Sequence, residues 1–325
     1  MRPQPSSNTL RPLRRTPTQS EKEKRPMAIL LTGSTGHTGM DVARMLASQA
    51  VPVRALTRSP DKARFPAGVT PVQGDLSDIE VMRSALEGVE TLLLVAPNVP
   101  DELNQTLTAL ALARDAGVRG IVYLSVFECD RHADVPHFAC KVAAERMIER
   151  CDLPATTLRS AYFMQNDLGQ KAQLLDHGVY GMPLGHVGIA AVDTRDLAEI
   201  AAKQLLRRHA APTPLPRDSY NIVGPDDLTP ETITRIWSEA LGRAVTYAGD
   251  DLDVFQDRLK PFVPAGFAYD LALMLRAFQR HGARASAEDL STMTTLLGRA
   301  PRRYAAFAAE TAEAWKSAPA QDRPD

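Results

Sequence analysis

The stretch "MAILLTGSTGHTGMDVARMLASQA", residues 27–50, passes from an apolar run to three glycines, Gly33, Gly36 and Gly39, and then to a helical pattern. Where a strand feeds directly into a helix, the first N–H groups of the helix lack an intrahelical partner. Together with the helix dipole they favour an anion. Gly33 allows the sharp turn, Gly36 allows a phosphate close to the backbone, and Gly39 allows the helix to pack onto the strand. Thr35, His37 and Thr38 are polar contacts available to the phosphates. No Gly-Lys-Ser/Thr follows, which excludes a Walker loop. A glycine triplet alone also fits a turn without a ligand. Its place after the first strand, at the opening of a βαβ unit, favours a dinucleotide.

The rest of the chain supplies that context. "AILLTG" (28–33), "VPVRALTR" (51–58), "VTPVQGD" (69–75), "TLLLVAP" (91–97), "GIVYLS" (120–125) and "ATTLRS" (155–160) read as strands, with "YNIVG" (220–224) as a further one. Their near-continuous hydrophobicity predicts burial on both faces, as in a parallel sheet covered by helices. Helical patterns separate them. Ser77 and Glu80 predict a capping box for a helix that stops before Gly88. A longer helix follows Pro100 and ends at Gly117, and another runs from about Phe138 to Arg150. Thr194 is the expected N-cap of a helix over 192–209. Thr229, Pro230 and Gly242 bracket another.

The fold class that follows is α/β, a doubly wound parallel sheet with a smaller, mostly helical C-terminal lobe. We divide the chain into a tail (1–26), a dinucleotide-binding core (27–160) and a remainder (161–325). That remainder completes the sheet (192–224) and forms the lobe (161–191 and 225–318). The tail holds seven Lys/Arg against Glu21 and Glu23, and reads either as a disordered basic tail or as a start codon placed too early. The segment "HAAPTPLPRDS" (209–219) is a Pro-rich connection.

Composition narrows the function. The 325 residues carry a formal net charge of −1, which gives no footprint for nucleic acid or an anionic membrane surface. No apolar run approaches the roughly 18 residues of a membrane span. Cys129, Cys140 and Cys151 are too few and too evenly spaced for a zinc site or disulfide framework, and fit reduced thiols in a cytoplasmic protein. No metal is expected, because the spacing of His132, Asp134 and His137 matches no ligand set.

The end of the second strand selects the cofactor. NAD asks for a carboxylate there, and this chain has "RALTRSPDKAR", with Arg58 and Lys62. A guanidinium fits a 2′-phosphate, so NADP(H) is expected and NAD(H) stays possible. A solvated surface arginine is the alternative. Asp75, in "QGDLSD", either accepts the adenine amino group or caps its own turn.

Taken together, "TGSTGHTG", "RALTRSPDKA", "VQGDLSD", "AGVRGIVYLS", "PHFACKVAAERMI", "TTLRSAYFMQN" and "YNIVGPDDLTPETI" resemble, in this order, the NmrA-like family of atypical short-chain dehydrogenases/reductases. The resemblance covers roughly residues 27–245. It implies NAD(P) binding and adds Leu76, Ala96, Pro97 and Ser125 as cofactor contacts. It also implies one of two functions. The first is NAD(P)H-dependent reduction of a small-molecule acceptor, a quinone, azo dye or triphenylmethane dye. The second is dinucleotide sensing by a regulator that acts through a protein partner.

The superfamily's Tyr-x-x-x-Lys pair reads "HFACK" here, with Lys141 kept as a ribose contact and His137 in the tyrosine's place. An imidazole can donate a proton near neutral pH, and a histidine after Pro136 can equally cap the helix. Cys140, beside Lys141, points to a different helical face, which argues against a redox role. Hydride addition to a quinone or cationic dye does not need the tyrosine. It needs proximity and an apolar pocket. Tyr162, Phe163 and Met164 are the expected walls, with Asn166 as a polar anchor. "FVPAGFAY" (262–269) reads either as a lid or, preferably, as core packing.

Overall fold

The apolar runs form strands because their alternating side chains are buried by helices on both sides. The computed structural model describes residues 27–317, so the reading of residues 1–26 lies outside them. The strands are β1 (Ala28–Leu31), β2 (Val53–Thr57), β3 (Val69–Gln73), β4 (Val89–Leu94), β5 (Gly120–Val126), β6 (Ala155–Ser160), β7 (Tyr162–Phe163), β8 (Val179–Tyr180), β9 (Ile189–Val192), β10 (Asp218–Ile222), β11 (Asp227–Leu228) and β12 (Thr246–Tyr247). Seven of them make the main sheet, in the order β10-β6-β5-β4-β1-β2-β3, with every pairing parallel. Direction along the sheet reverses between β1 and β4, which opens a crevice at their carboxyl ends.

The helices are α1 (His37–Ala47), α2 (Ile79–Leu86), α3 (Glu102–Asp115), α4 (Pro136–Arg150), α5 (Thr194–Ala210), α6 (Pro230–Leu241), α7 (Leu252–Leu259), α8 (Ala265–His281), α9 (Ala287–Leu297) and α10 (Tyr304–Ser317). Helices α2, α3 and α4 pack Met82, Leu86, Leu110 and Ile148 against Leu30, Leu92 and Ile121 of the sheet. Helices α1 and α5 cover the other face through Val42, Leu46, Leu197 and Ala201, in a core continuous with the lobe. Among the described residues no helix is long and apolar enough to cross a membrane.

Three helix starts differ from expectation by one or two residues. The N-cap of α2 is Asp78, whose carboxylate accepts from the N–H groups of Glu80 (3.1 Å) and Val81 (3.0 Å). Ser77 is not available as a cap because its hydroxyl is bound to Asp75 at 2.7 Å. The N-cap of α5 is Asp193 rather than Thr194, since Asp193 accepts the Arg195 N–H at 2.9 Å. Helix α4 begins at Pro136 rather than Phe138, because proline's fixed φ suits the first helical position. The cap at Thr229, with Pro230 following and Gly242 left-handed at φ 67°, is as expected.

The Pro-rich connection is pinned by two arginines. Arg119 donates to the carbonyls of Ala211 and Pro212, and buried Arg208 donates to Leu215 and Pro216 and to Asp218 at 3.0 Å. Gly120 makes room for Arg208, since a Cβ there would lie 2.8 Å from the arginine's own Cβ.

The lobe carries short strands that the sequence did not announce: β11-β9-β7 form one small sheet, and β12-β8 form another. Its tail is tied down by carboxylates. Asp196 at the start of α5 receives Arg299 and Arg302, and Asp226 receives Arg303 and the N–H of Tyr304. At the centre lies Asp167, fully buried, which accepts hydrogen bonds from Tyr180 (3.1 Å), Tyr162 (3.5 Å) and Tyr304. Trp237 donates its indole N–H to the Tyr304 hydroxyl at 2.9 Å. Burial pushes the Asp167 carboxyl up to about 7, although the three phenols favour its charged form. The folded state therefore binds this proton more tightly than the unfolded chain, and the group's contribution to stability is lost as pH rises from the unfolded value towards about 7. Asp167→Asn should thus gain stability relative to the unmodified protein on going from about pH 5 to about pH 8 in denaturant unfolding. A pH-independent difference would refute this assignment.

Candidate functional site

The glycine turn lies at the crevice where the sheet reverses. Thr32 donates to the carbonyls of Leu93 (3.1 Å) and Val95 (3.0 Å), tying the turn to β4. Ser34 donates to Leu56 at 2.7 Å, tying it to β2. Gly33 has φ +58°, and a Cβ on it would lie 2.8 Å from Val95. A Cβ on Gly39 would lie 2.2 Å from the Gly33 carbonyl oxygen, so α1 sits on the turn at a distance only glycine permits. Gly36 differs, because a Cβ there meets only the Gly33 oxygen, at 3.4 Å. The protein's own packing does not require glycine at 36, and its bare backbone leaves the approach to the helix open. As N-cap of α1 it supplies no side chain to the first N–H groups. Thr35, Gly36 and His37 are exposed, while Thr38 is buried. This open, uncapped cradle fits a dinucleotide's phosphates.

Arg58 stands at the end of β2 with 82% of its side chain exposed. Its nearest carboxylate oxygen, from Asp75, is 3.9 Å away. Lys62 is exposed close behind. Of the two alternatives for Asp75, the turn cap is present: one oxygen accepts both the N–H (2.9 Å) and the hydroxyl (2.7 Å) of Ser77. Those bonds, helped by Arg58, hold its carboxyl below the usual range. Leu76 is buried beside it, and after β4 Ala96 is half-buried and Pro97 exposed.

On the α3/α4 side, polar groups are tied to carboxylates. Lys141 pairs with Glu102 of α3 at 2.5 Å, both buried, and its ammonium lies 5.8 Å from the Tyr123 ring centre. Tyr123 is the middle residue of β5 and pairs with Leu94 of β4. Ser125 donates to Glu145 at 2.5 Å, and Glu145 also holds Arg159 in a two-pronged pair. Burial, reinforced by Glu102, raises the Cys140 thiol, and burial pushes Cys129 up to about 11, so neither is a ready thiolate.

His137 is held by the lobe. Asp270 of α8 accepts its backbone N–H at 3.1 Å and pairs with its Nδ1. Sequence reading missed Asp270, Glu102 and Glu145, whose partners sit on other elements. The one local signal for Asp270 is an isolated acid in the apolar run "FAYDLALM". Tyr162 turns its hydroxyl to Asp167 and also meets the Asn166 side chain, Phe163 packs against the lobe-side core, Met164 is fully buried, and Asn166 is exposed. The preference for core packing over 262–269 is overturned at Phe262 and Tyr269, which are 83% and 51% exposed, because Ala265–His281 forms a helix whose outer face they border.

Compared with known proteins, the chain matches the NmrA-like family over residues 26–304. It is 33% identical over 290 residues to the (4-alkanoyl-5-oxo-2,5-dihydrofuran-3-yl)methyl phosphate reductase of Streptomyces griseus, covering 88% of this chain and 99% of that one. It is 28% identical over 293 residues to the NAD(P)H azoreductase of Xenophilus azovorans, covering 89% and 100%. The NADPH-dependent quinone oxidoreductase of Escherichia coli, solved in complex with NADPH, superposes with a TM-score of 0.76 at 27% identity, over 87% of this chain and 99% of that one.

The two glycines should separate experimentally. Gly39→Ala forces a methyl onto the Gly33 carbonyl and should cost about 1–3 kcal/mol or more in thermal unfolding. Gly36→Ala should leave the melting temperature nearly unchanged. Equal losses would mean that Gly36 is also required for packing.

Proposed function

Because the chain belongs to the NmrA-like family, we propose that it is an NADPH-dependent reductase that passes a hydride directly to a flat, conjugated acceptor of the quinone or dye kind. The observation that carries this reading is the open backbone at Gly36 beside the exposed Arg58 guanidinium at the end of β2. The azo and quinone reductions of its relatives supply the acceptor class.

Bound NADPH would supply a hydride with its electron pair. The chain's own residues bind and orient. The N–H groups at the start of α1, with Thr35, His37 and Thr38, receive the diphosphate. Arg58 and Lys62 receive the 2′-phosphate through charge-assisted bonds. Asp75, Leu76, Ala96, Pro97 and Ser125 border the adenosine-to-nicotinamide path. Lys141, held by Glu102, takes the nicotinamide ribose. His137, one helical turn before Lys141, is the proton donor when the acceptor needs one. A quinone needs a proton for each hydride received and a cationic dye needs none, so the absent tyrosine bars neither reaction.

Titration of NADPH and NADH, followed by absorbance loss with a panel of quinones, azo dyes and triphenylmethane dyes, tests the reading. NADPH should bind more tightly. Arg58→Ala should reduce that preference about three- to tenfold, the worth of an exposed charge-assisted contact. An unchanged preference would remove the 2′-phosphate role. NADPH binding without turnover of any acceptor would replace the reductase by the dinucleotide-sensing regulator.

A further inference from the structure

Helix α4 starts without a local cap. Val135, its N-cap residue, contributes no side-chain acceptor, and Pro136 has no N–H to satisfy. The first N–H of the helix therefore belongs to His137, and a carboxylate from 133 residues further along the chain satisfies it: Asp270 Oδ1 accepts it at 3.1 Å. The second oxygen of the same carboxylate takes Nδ1 of the same residue's ring. The pair is sheltered, with the side chains of His137 and Asp270 only 14% and 12% exposed. Phe138 adds an edge-to-face contact 4.6 Å from the imidazole. A second contact lies at the other end of α8, where the His281 ring stacks on buried His132, 5.8 Å between centres. The loop before α4 and the start of α4 are thus docked along α8.

Which imidazole nitrogen is free decides what the residue can do. With Nδ1–H donated to Asp270, the nitrogen left to meet another molecule is Nε2. A carboxylate in this position holds the ring by two contacts to one residue, so that Nε2 is presented in a fixed direction.

We propose that Asp270 is the positioning residue for His137: one oxygen caps α4, the other fixes the ring with Nε2 outward, and the proton donor exists only when the helical lobe is docked. This rests on the reductase reading for its chemistry. When a quinone-like acceptor takes a hydride, which carries both electrons, a C–H bond of the dihydronicotinamide would break, an O–H bond would form at one carbonyl oxygen, and the other carbonyl would become a phenolate. The Nε2–H bond of the His137 imidazolium breaks, a new O–H bond forms at that oxygen, and neutral His137 keeps its Nδ1–H on Asp270 until solvent returns a proton to Nε2.

The test has one arm that needs no turnover. In ¹⁵N-labelled protein at alkaline pH, neutral His137 should carry its proton on Nδ1. In Asp270→Ala it should revert to the Nε2–H form that a solvated imidazole favours. The unmodified protein alone decides this point if the alanine variant does not fold, because finding Nε2–H there overturns the proposal. In the second arm, Asp270→Ala and Asp270→Asn should lower kcat for a quinone at least about tenfold while leaving the Kd for NADPH within about twofold, and Asp270→Glu should recover part of the loss. Unchanged kcat in both variants, or an equal loss of NADPH binding, would refute a positioning role. If the unmodified protein reduces no acceptor, the reductase reading fails, and the tautomer still decides whether Asp270 orients His137.

Discussion

The approach of Gly39 to the carbonyl of Gly33 is the constraint on which the site depends. A methyl group at 39 would overlap the turn, so the axis of α1 is set by the absence of one carbon atom. With α1 seated there, its uncapped first turn faces the crevice between β1 and β4. The bonds of Thr32 to β4 and of Ser34 to β2 keep the turn from moving away. The ends of β2, β4 and β5 then take up fixed stations around it, and each presents a different chemical group: Arg58, the Ala96–Pro97 turn, and Ser125 bound to Glu145.

Charge around these stations is distributed unevenly. On the α3/α4 side the cations Lys141 and Arg159 are matched by Glu102 and Glu145 in part-buried pairs, where an unpartnered charge would be costly. At the far end of the crevice Arg58 and Lys62 stand in solvent, with Asp75 Oδ2 3.9 Å from the Arg58 guanidinium and Oδ1 taken by Ser77. Positive charge available to an incoming anion is thereby concentrated at the second strand, while the α4 end is electrostatically settled by the protein's own acids.

Much of this was legible in the amino-acid sequence, and the reasons differ by element. Strands such as "TLLLVAP" and "GIVYLS" are apolar along their length because helices cover both faces, and that pattern survives translation into three dimensions. The cap of α2 was misplaced by one residue because Ser77 and Asp78 are both good cap formers, and only the bond from Ser77 to Asp75 decides between them. The two-residue strands of the lobe carry no periodicity to read. At the site, His137 and Lys141 were visible through the likeness of "HFACK" to the superfamily's Tyr-x-x-x-Lys pair. Asp270 and Glu102 were not, since their importance comes from α8 and α3 being folded against that helix. Tyr162 looked like a wall residue from its neighbours, yet its hydroxyl serves a carboxylate five positions later.

That carboxylate sets an order on the molecule's own assembly. Asp167 lies in the middle of the chain, and one of its three phenols, Tyr304, follows it by 137 residues. A ribosome adds roughly 5–20 residues per second, so on the order of ten seconds separate the synthesis of the acid from that of its last donor. During that interval the covering helix α5 and the edge strand β10 are also still to come, and Asp167 lacks the last of its donors. Asp167 can therefore meet all three of its phenols only after Tyr304 has been made.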